Sequence, residues 1–216
     1  MARTPAPKLP TSTTVLLVRH GQTPTTGTTL PGRARGLHLA DTGRAQAANA
    51  AERIAKLAKV TAVYASPLER TRETAAPIAK SLGLRVVVDK GLLECDFGEW
   101  TGAKLSDLRK RPEWKTVQQY PSGFRFPEGE SFAEMQVRMT ATLARLAARH
   151  RGETIVAVSH ADPIKAALAD ALGTHLDLFQ RIVISPCSVT AIWYSTGGPA
   201  VLTANSTGDL TALGLS

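Results

Sequence analysis

Residues 14–23 read TVLLVRHGQT. The first five form a short apolar run of the kind that becomes a buried strand, and an arginine, a histidine and a glycine follow at once. In open parallel sheets ligands sit beyond the carboxyl ends of the strands, so this run marks a candidate site as well as a candidate core element.

Outward from it, short valine-rich runs alternate with longer amphipathic stretches, the pattern of parallel strands joined by crossover helices, which makes the fold class α/β. A helix is predicted over 42–57 with an apolar face at Ala45, Ala48, Ile54 and Leu57, and a strand over 62–65. Residues 66–83, SPLERTRETAAPIAKSLG, predict a helix capped by Ser66, with Pro67 in its first turn, Glu69 completing a capping box and Gly83 at its end. Pro77 inside it removes a hydrogen bond and predicts a kink. A strand at 85–88 precedes an aperiodic stretch, 91–129, expected as an insertion over one end of the sheet, where functional loops gather. Ser131 and Glu134 form a second capping box opening a helix to about His150, followed by a strand at 154–159 and a helix from about Pro163 to Leu172. Runs at 188–194 and 200–204, split by Gly197, Gly198 and Pro199, predict a closing hairpin at a sheet edge. No internal repeat or low-complexity domain interrupts the pattern.

The chain of 216 residues is 43% hydrophobic and 20% charged, the composition of one soluble globular domain, here residues 14–216. Residues 1–13 hold three prolines and no apolar run, so they read as a mobile tail without the core of a signal peptide. No stretch is apolar enough to span a membrane. Cys95 and Cys187 lack any ligand spacing, which argues against a disulfide framework or zinc site and fits a reducing cytoplasm. A net charge of +8 suits nucleic acid, an anionic membrane or a small anionic substrate. Aromatic residues make up only 5% and none are interleaved with basic ones, which disfavours nucleic acid and leaves a small anion as the expected partner.

Three places qualify as site residues by position: Arg19, His20 and Gly21 after the first strand, Arg70 in the first turn of the helix after the second, and Ser159 and His160 at the end of a later one. Two arginines, two histidines and a helix N-terminus facing one crevice make a strong anion site, since guanidinium forks match phosphate oxygens. A neutral imidazole can attack phosphorus with one nitrogen while the other is held as a donor. Gly21, without a Cβ, would let the backbone approach the phosphate. The arginines and a protonated second histidine would replace the metal ion that many phosphatases use, so no cofactor is expected.

Five motifs in order, LLVRHGQT at 16–23, SPLERT at 66–71, LLECDFGEWTG at 92–102, PEGES at 127–131 and VSHADPI at 158–164, resemble the histidine phosphatase superfamily, also called the phosphoglycerate mutase-like family. The resemblance implies a three-layer α/β sandwich with a mostly parallel sheet and metal-independent hydrolysis of small phosphomonoesters. It assigns His20 as nucleophile, Arg19, Arg70 and His160 as the phosphate pocket with Gly21, Thr26 and Ala161 beside them, and Glu94 as proton donor. Thr26 stands where many members have asparagine but can still donate through its hydroxyl. Ala161 and Asp162 stand where many have two glycines, which makes Asp162 a second candidate acid, ahead of Asp96 and Glu99. A phosphoglycerate mutase-type phosphomutase uses the same pocket but usually carries longer insertions. A non-catalytic phospho-ligand or nucleic-acid binder would be expected to have lost pocket residues. A homodimer is one assembly open to the chain.

Plainer readings stand beside these. Arg70 could pair with Glu69 or Glu73 along its helix. Lys104, Arg109, Lys110, Arg111, Lys115 and Arg125, against Asp107 and Glu113, form a solvated face or a lid steering anions. Trp100, Trp114, Tyr120, Phe124 and Phe126 anchor the insertion in preference to lining a pocket. His38, His150 and His175 are read as surface or packing residues.

Overall fold

The computed structural model describes residues 12–57, 59–210 and 213. Strand β1 (Thr13–Arg19) has no exposed residue, and its alternating side chains go to opposite layers. Leu16 and Val18 pack with Val63, Val156, Ile54 and Ile78, whereas Val15 and Leu17 pack with Ile155, Leu143, Leu146 and Ile164. A strand apolar on both faces must be covered on both, and three layers follow from that requirement.

The remaining strands are β2 (Val60–Ala65), β3 (Val86–Val88), β4 (Thr154–Ser159), β5 (Val189–Ser195) and β6 (Gly198–Ser206), in one sheet ordered β3-β2-β4-β1-β5-β6. The first four in that order run parallel, and β5 and β6 add an antiparallel hairpin at the edge, as the glycine–proline punctuation predicts. Helices α1 (Asp41–Ala55) and α2 (Glu69–Ser81) supply Ile54 and Ile78 to one face. The short α3 (Leu105–Leu108) and α4 (Glu113–Gln119) lie in the insertion, while α5 (Phe132–Arg149) and α6 (Ala161–Ala171) cover the other face.

Several elements depart from the sequence reading. The face of α1 that is buried is Gly43, Ala47, Ala50 and Ile54, and Ala45 and Ala48 are exposed. With alanine at five of the positions between 45 and 51, several phases of the helix look equally apolar. Helix α2 begins at Glu69 with Leu68 as N-cap, so Ser66 and Glu69 form no capping box, and Pro77 is accommodated within it. Gly83 does follow its end, with the positive φ of 66° that a glycine takes there. The capping box of Ser131 and Glu134 is present on α5. Helix α6 starts two residues before Pro163, directly behind His160.

In the insertion Trp100, Phe124 and Phe126 are buried in an aromatic cluster with Phe97 and Phe132, and Trp114 packs against it, so they anchor the segment as expected; Tyr120 is exposed. The six basic residues of that stretch are exposed. The expected tail lies outside the described residues except for residues 12 and 13, and Thr13 already belongs to β1. Among the described residues no helix is long and apolar enough to cross a membrane, and both cysteines are free and buried.

Candidate active site

The carboxyl ends of β1, β2 and β4 lie side by side, because β4 sits between the other two. Register pairs Arg19 with Ser159, so His20 and His160 leave adjacent strands together, with ring centroids 5.2 Å apart. A cleft of about 370 Å³ opens here, lined among others by Arg19, His20, Glu94, Ala161 and Asp162.

His20 Nδ1 lies 2.8 Å from the carbonyl oxygen of Gly21. A carbonyl only accepts, so Nδ1 carries the proton and Nε2 the lone pair. Burial, reinforced by the Arg70 and Arg19 guanidinium groups, lowers the pKa of His20 to about 3, so the ring is neutral. His160 is fully buried and likewise held well below the usual imidazole range by burial, then by Arg70 and His20. The protonated second histidine expected from the sequence is therefore corrected to a neutral ring, because no adjacent carboxylate outweighs burial and the two arginines. His160 Nε2 is 2.9 Å from Ser66 Oγ, which explains why Ser66 is not a helix cap.

Arg70 is buried, and its Nη2 donates to the Gly32 carbonyl at 2.7 Å. It does not pair along the helix face, and Glu73 instead bonds His38 and the Leu39 amide. Arg19 Nη1 donates to the Ile184 carbonyl at 2.6 Å. Each arginine is thus aligned by one bond, while Arg19 Nε, Arg70 Nε and Nη1, and His160 Nδ1 are buried with no protein partner. A buried donor without a partner costs about 1–3 kcal/mol. The three guanidinium nitrogens, with His160 Nδ1 as a fourth when it carries the ring proton, suit an anion with several acceptor oxygens.

Glu94 stands at the cleft 4.0 Å from His160 Nδ1, and its Oε1 accepts from the Cys95 amide. Burial, with Asp162 adding repulsion, raises its carboxyl to about 7. Asp162 also lines the cleft but pairs with Lys165 at 3.2 Å. Asp96 bonds Arg33, and Glu99 is exposed. Thr26 is in the wall, yet its hydroxyl is engaged by the Thr23 amide and hydroxyl, so it is less free than its type suggests. Gly21 also has a role in the packing: a Cβ there would meet the backbone of Gly43 on α1, and its amide donates to Thr74 Oγ1.

Sequence reading missed the brace behind Glu94. Arg138 donates to the carbonyls of Gly91, Leu93 and Glu94, Arg33 Nε donates to the Glu94 carbonyl, and both arginines bind Glu130. Arg33 and Glu94 are 61 positions apart, and no local pattern joins them. His38, His150 and His175 sit beside Glu73, Glu153 and Asp177 outside the cleft lining.

A mostly parallel sheet between two helical layers, with two neutral histidines, a buried and a half-buried arginine and a carboxyl of raised pKa at its switch point, defines a phosphate-handling α/β protein. The model of the histidine phosphatase superfamily, branch 1, matches residues 15–207, and the chain belongs to that family. It is 34% identical over 202 residues to a bifunctional protein of Mycobacterium tuberculosis, matching 93% of this chain but 56% of that one, so it spans little more than half of that relative. It is 30% identical over 198 residues to phosphoserine phosphatase 1 of Hydrogenobacter thermophilus, covering 89% of this chain and 92% of that one. The structure of a phosphoserine phosphatase from Entamoeba histolytica in complex with 3-phosphoglyceric acid superposes with a TM-score of 0.81 at 26% identity, over 90% and 97% of the two chains.

Proposed function

We propose that this chain is a metal-independent phosphatase that hydrolyses small phosphomonoesters through a phosphohistidine on His20. The observation that carries the reading is the neutral His20, its Nδ1 held by the Gly21 carbonyl, beside the unpartnered donors of Arg19, Arg70 and His160. Those donors take the non-bridging oxygens of the phosphate, and the guanidinium charges supply the stabilisation a metal ion would otherwise give. With the Ser66 hydroxyl as donor in its 2.9 Å bond to His160 Nε2, the ring proton lies on Nδ1 and is offered to the phosphate.

His20 Nε2 attacks phosphorus, the bond to the ester oxygen breaks, and the Glu94 carboxyl gives its proton to that oxygen. The resulting Glu94 carboxylate then takes a proton from water, hydroxide attacks phosphorus, and the bond to Nε2 breaks to release inorganic phosphate. A carboxyl with pKa about 7 serves both steps near neutral pH. Asp162, tied to Lys165, is the second candidate for the acid. Two free buried cysteines support a reducing compartment such as the cytoplasm.

Hydrolysis of p-nitrophenyl phosphate in excess EDTA tests the reading. Turnover that survives the chelator and is lost in His20→Ala supports it. Rapid exchange between 3- and 2-phosphoglycerate with little free phosphate would replace it with a mutase.

A further inference from the structure

A second cavity, of about 330 Å³, adjoins the catalytic cleft, and the two share Leu30, Phe97, Leu105, Asp162, Lys165 and Gln180. Beyond that boundary it is walled by Trp114, Val117, Phe126 and Phe132. Glu94 and Phe97 both line the catalytic cleft, and Phe97 also lines the second cavity, so the cavity opens from the same cleft that holds the candidate acid. The walls are packed aromatic rings. Phe126 meets Phe97 and Phe132 edge to face at 4.8 and 5.1 Å, and Trp114 stacks on buried Trp100.

Polar groups at the boundary are already matched to each other. Lys165 donates to Asp162 and to Gln180, each at 3.2 Å, and sits over the Phe179 ring, so its charge is matched within the wall. Arg109 and Gln118 complete the lining from exposed positions. A dry cavity of about 150 Å³ accepts a benzene ring, and this one is more than twice that size.

We infer that this cavity is a leaving-group subsite, and that the chain selects phosphate monoesters of bulky apolar alcohols, aryl or alkyl, over those of small ones. The inference rests on the phosphatase reading for its chemistry but on the cavity for its selectivity. Apolar pockets with a few placed polar groups are the usual form of small-molecule sites.

The test compares ethyl, n-hexyl and 3-phenylpropyl phosphate, whose alcohols are similarly poor leaving groups, together with binding of ethyl- and n-hexylphosphonate by calorimetry. Burial of each methylene is worth about fourfold, so kcat/KM is expected to rise between about 30-fold and about 250-fold from ethyl to hexyl, with the phosphonate affinities following. Leu105→Trp, which narrows the passage, lowers that ratio at least about tenfold. Equal kcat/KM for the esters and equal phosphonate affinities overturn the subsite while leaving the phosphatase reading in place. Tighter hexylphosphonate binding without turnover of any ester supports the subsite and removes the phosphatase reading instead.

Discussion

His20 and Glu94 are buried at the same cleft yet shifted in opposite directions, and both shifts favour the neutral form: fully for His20 at pH 7, and for about half of the Glu94 carboxyls. Their pH dependence can therefore be separated. His20 stays neutral down to about pH 3, so the acidic limb of kcat/KM follows the ester's own second ionisation, near pH 6, and not the nucleophile. Glu94 must hold its proton for the first step, so the rate on alkyl phosphates falls as pH rises through about 7. Glu94→Gln should abolish that alkaline limb and slow alkyl esters by about 100-fold or more, with a smaller effect on p-nitrophenyl phosphate. An unchanged limb would move the acid to Asp162. Ser66 acts through His160, and Ser66→Ala is expected to lower kcat by about tenfold, less than the roughly 100-fold that loss of a donor outright costs. Imidazole nitrogen NMR would report the accompanying loss of a single His160 tautomer. The sequence pointed to His20 and His160 because each follows a strand-like run. Ser66 escaped because a serine before proline and glutamate matches a helix cap equally well.

At the scale of elements, what sequence resolved was the alternation of strand and helix, the capping box of α5 and the closing hairpin, all of which rest on short-range physics. What it did not resolve was which faces meet. Gly21 and Gly43 show why: Gly21 leaves room for the Gly43 backbone and Gly43 for that of Gln22, so α1 comes into direct contact with the segment that follows the nucleophile. Such a contact leaves no periodic trace in either stretch. A Cβ on Gly43 would overlap the Gln22 carbonyl, which is backbone and cannot rotate away. Gly43→Ala is therefore expected to destabilise the fold by about 1–3 kcal/mol in urea unfolding, although alanine ordinarily favours a helix interior. It should also lower kcat, because the strain is relieved by moving residues 21–22, whose carbonyl orients His20. A stabilised Gly43→Ala with unchanged kcat would show that the two backbones are not in contact.

Over the whole molecule, the order β3-β2-β4-β1-β5-β6 brings the ends of three strands to one cleft, and the chain carries a net charge of +8. Strand order was not legible in the sequence, since crossover lengths permit several arrangements; the charge was legible, but not its placement. Lys104, Lys110 and Lys115 prove to be exposed on the segment whose Glu94, Phe97 and Leu105 line the cleft, where they make few commitments to the fold. The field of such charges acts on encounter and not on the bond-breaking step, because the Debye length shrinks from about 30 Å at 0.01 M salt to about 8 Å at 0.15 M. Raising sodium chloride over that range should therefore lower kcat/KM for a dianionic ester several-fold while kcat changes little. Replacing the three lysines by glutamate takes the net charge from +8 to +2 and should flatten the salt dependence without lowering the melting temperature by more than a few degrees. If the triple variant kept the native salt slope, the steering charges would have to be those of the pocket itself, Arg19 and Arg70, and the basic face of the insertion would be a solvated surface only.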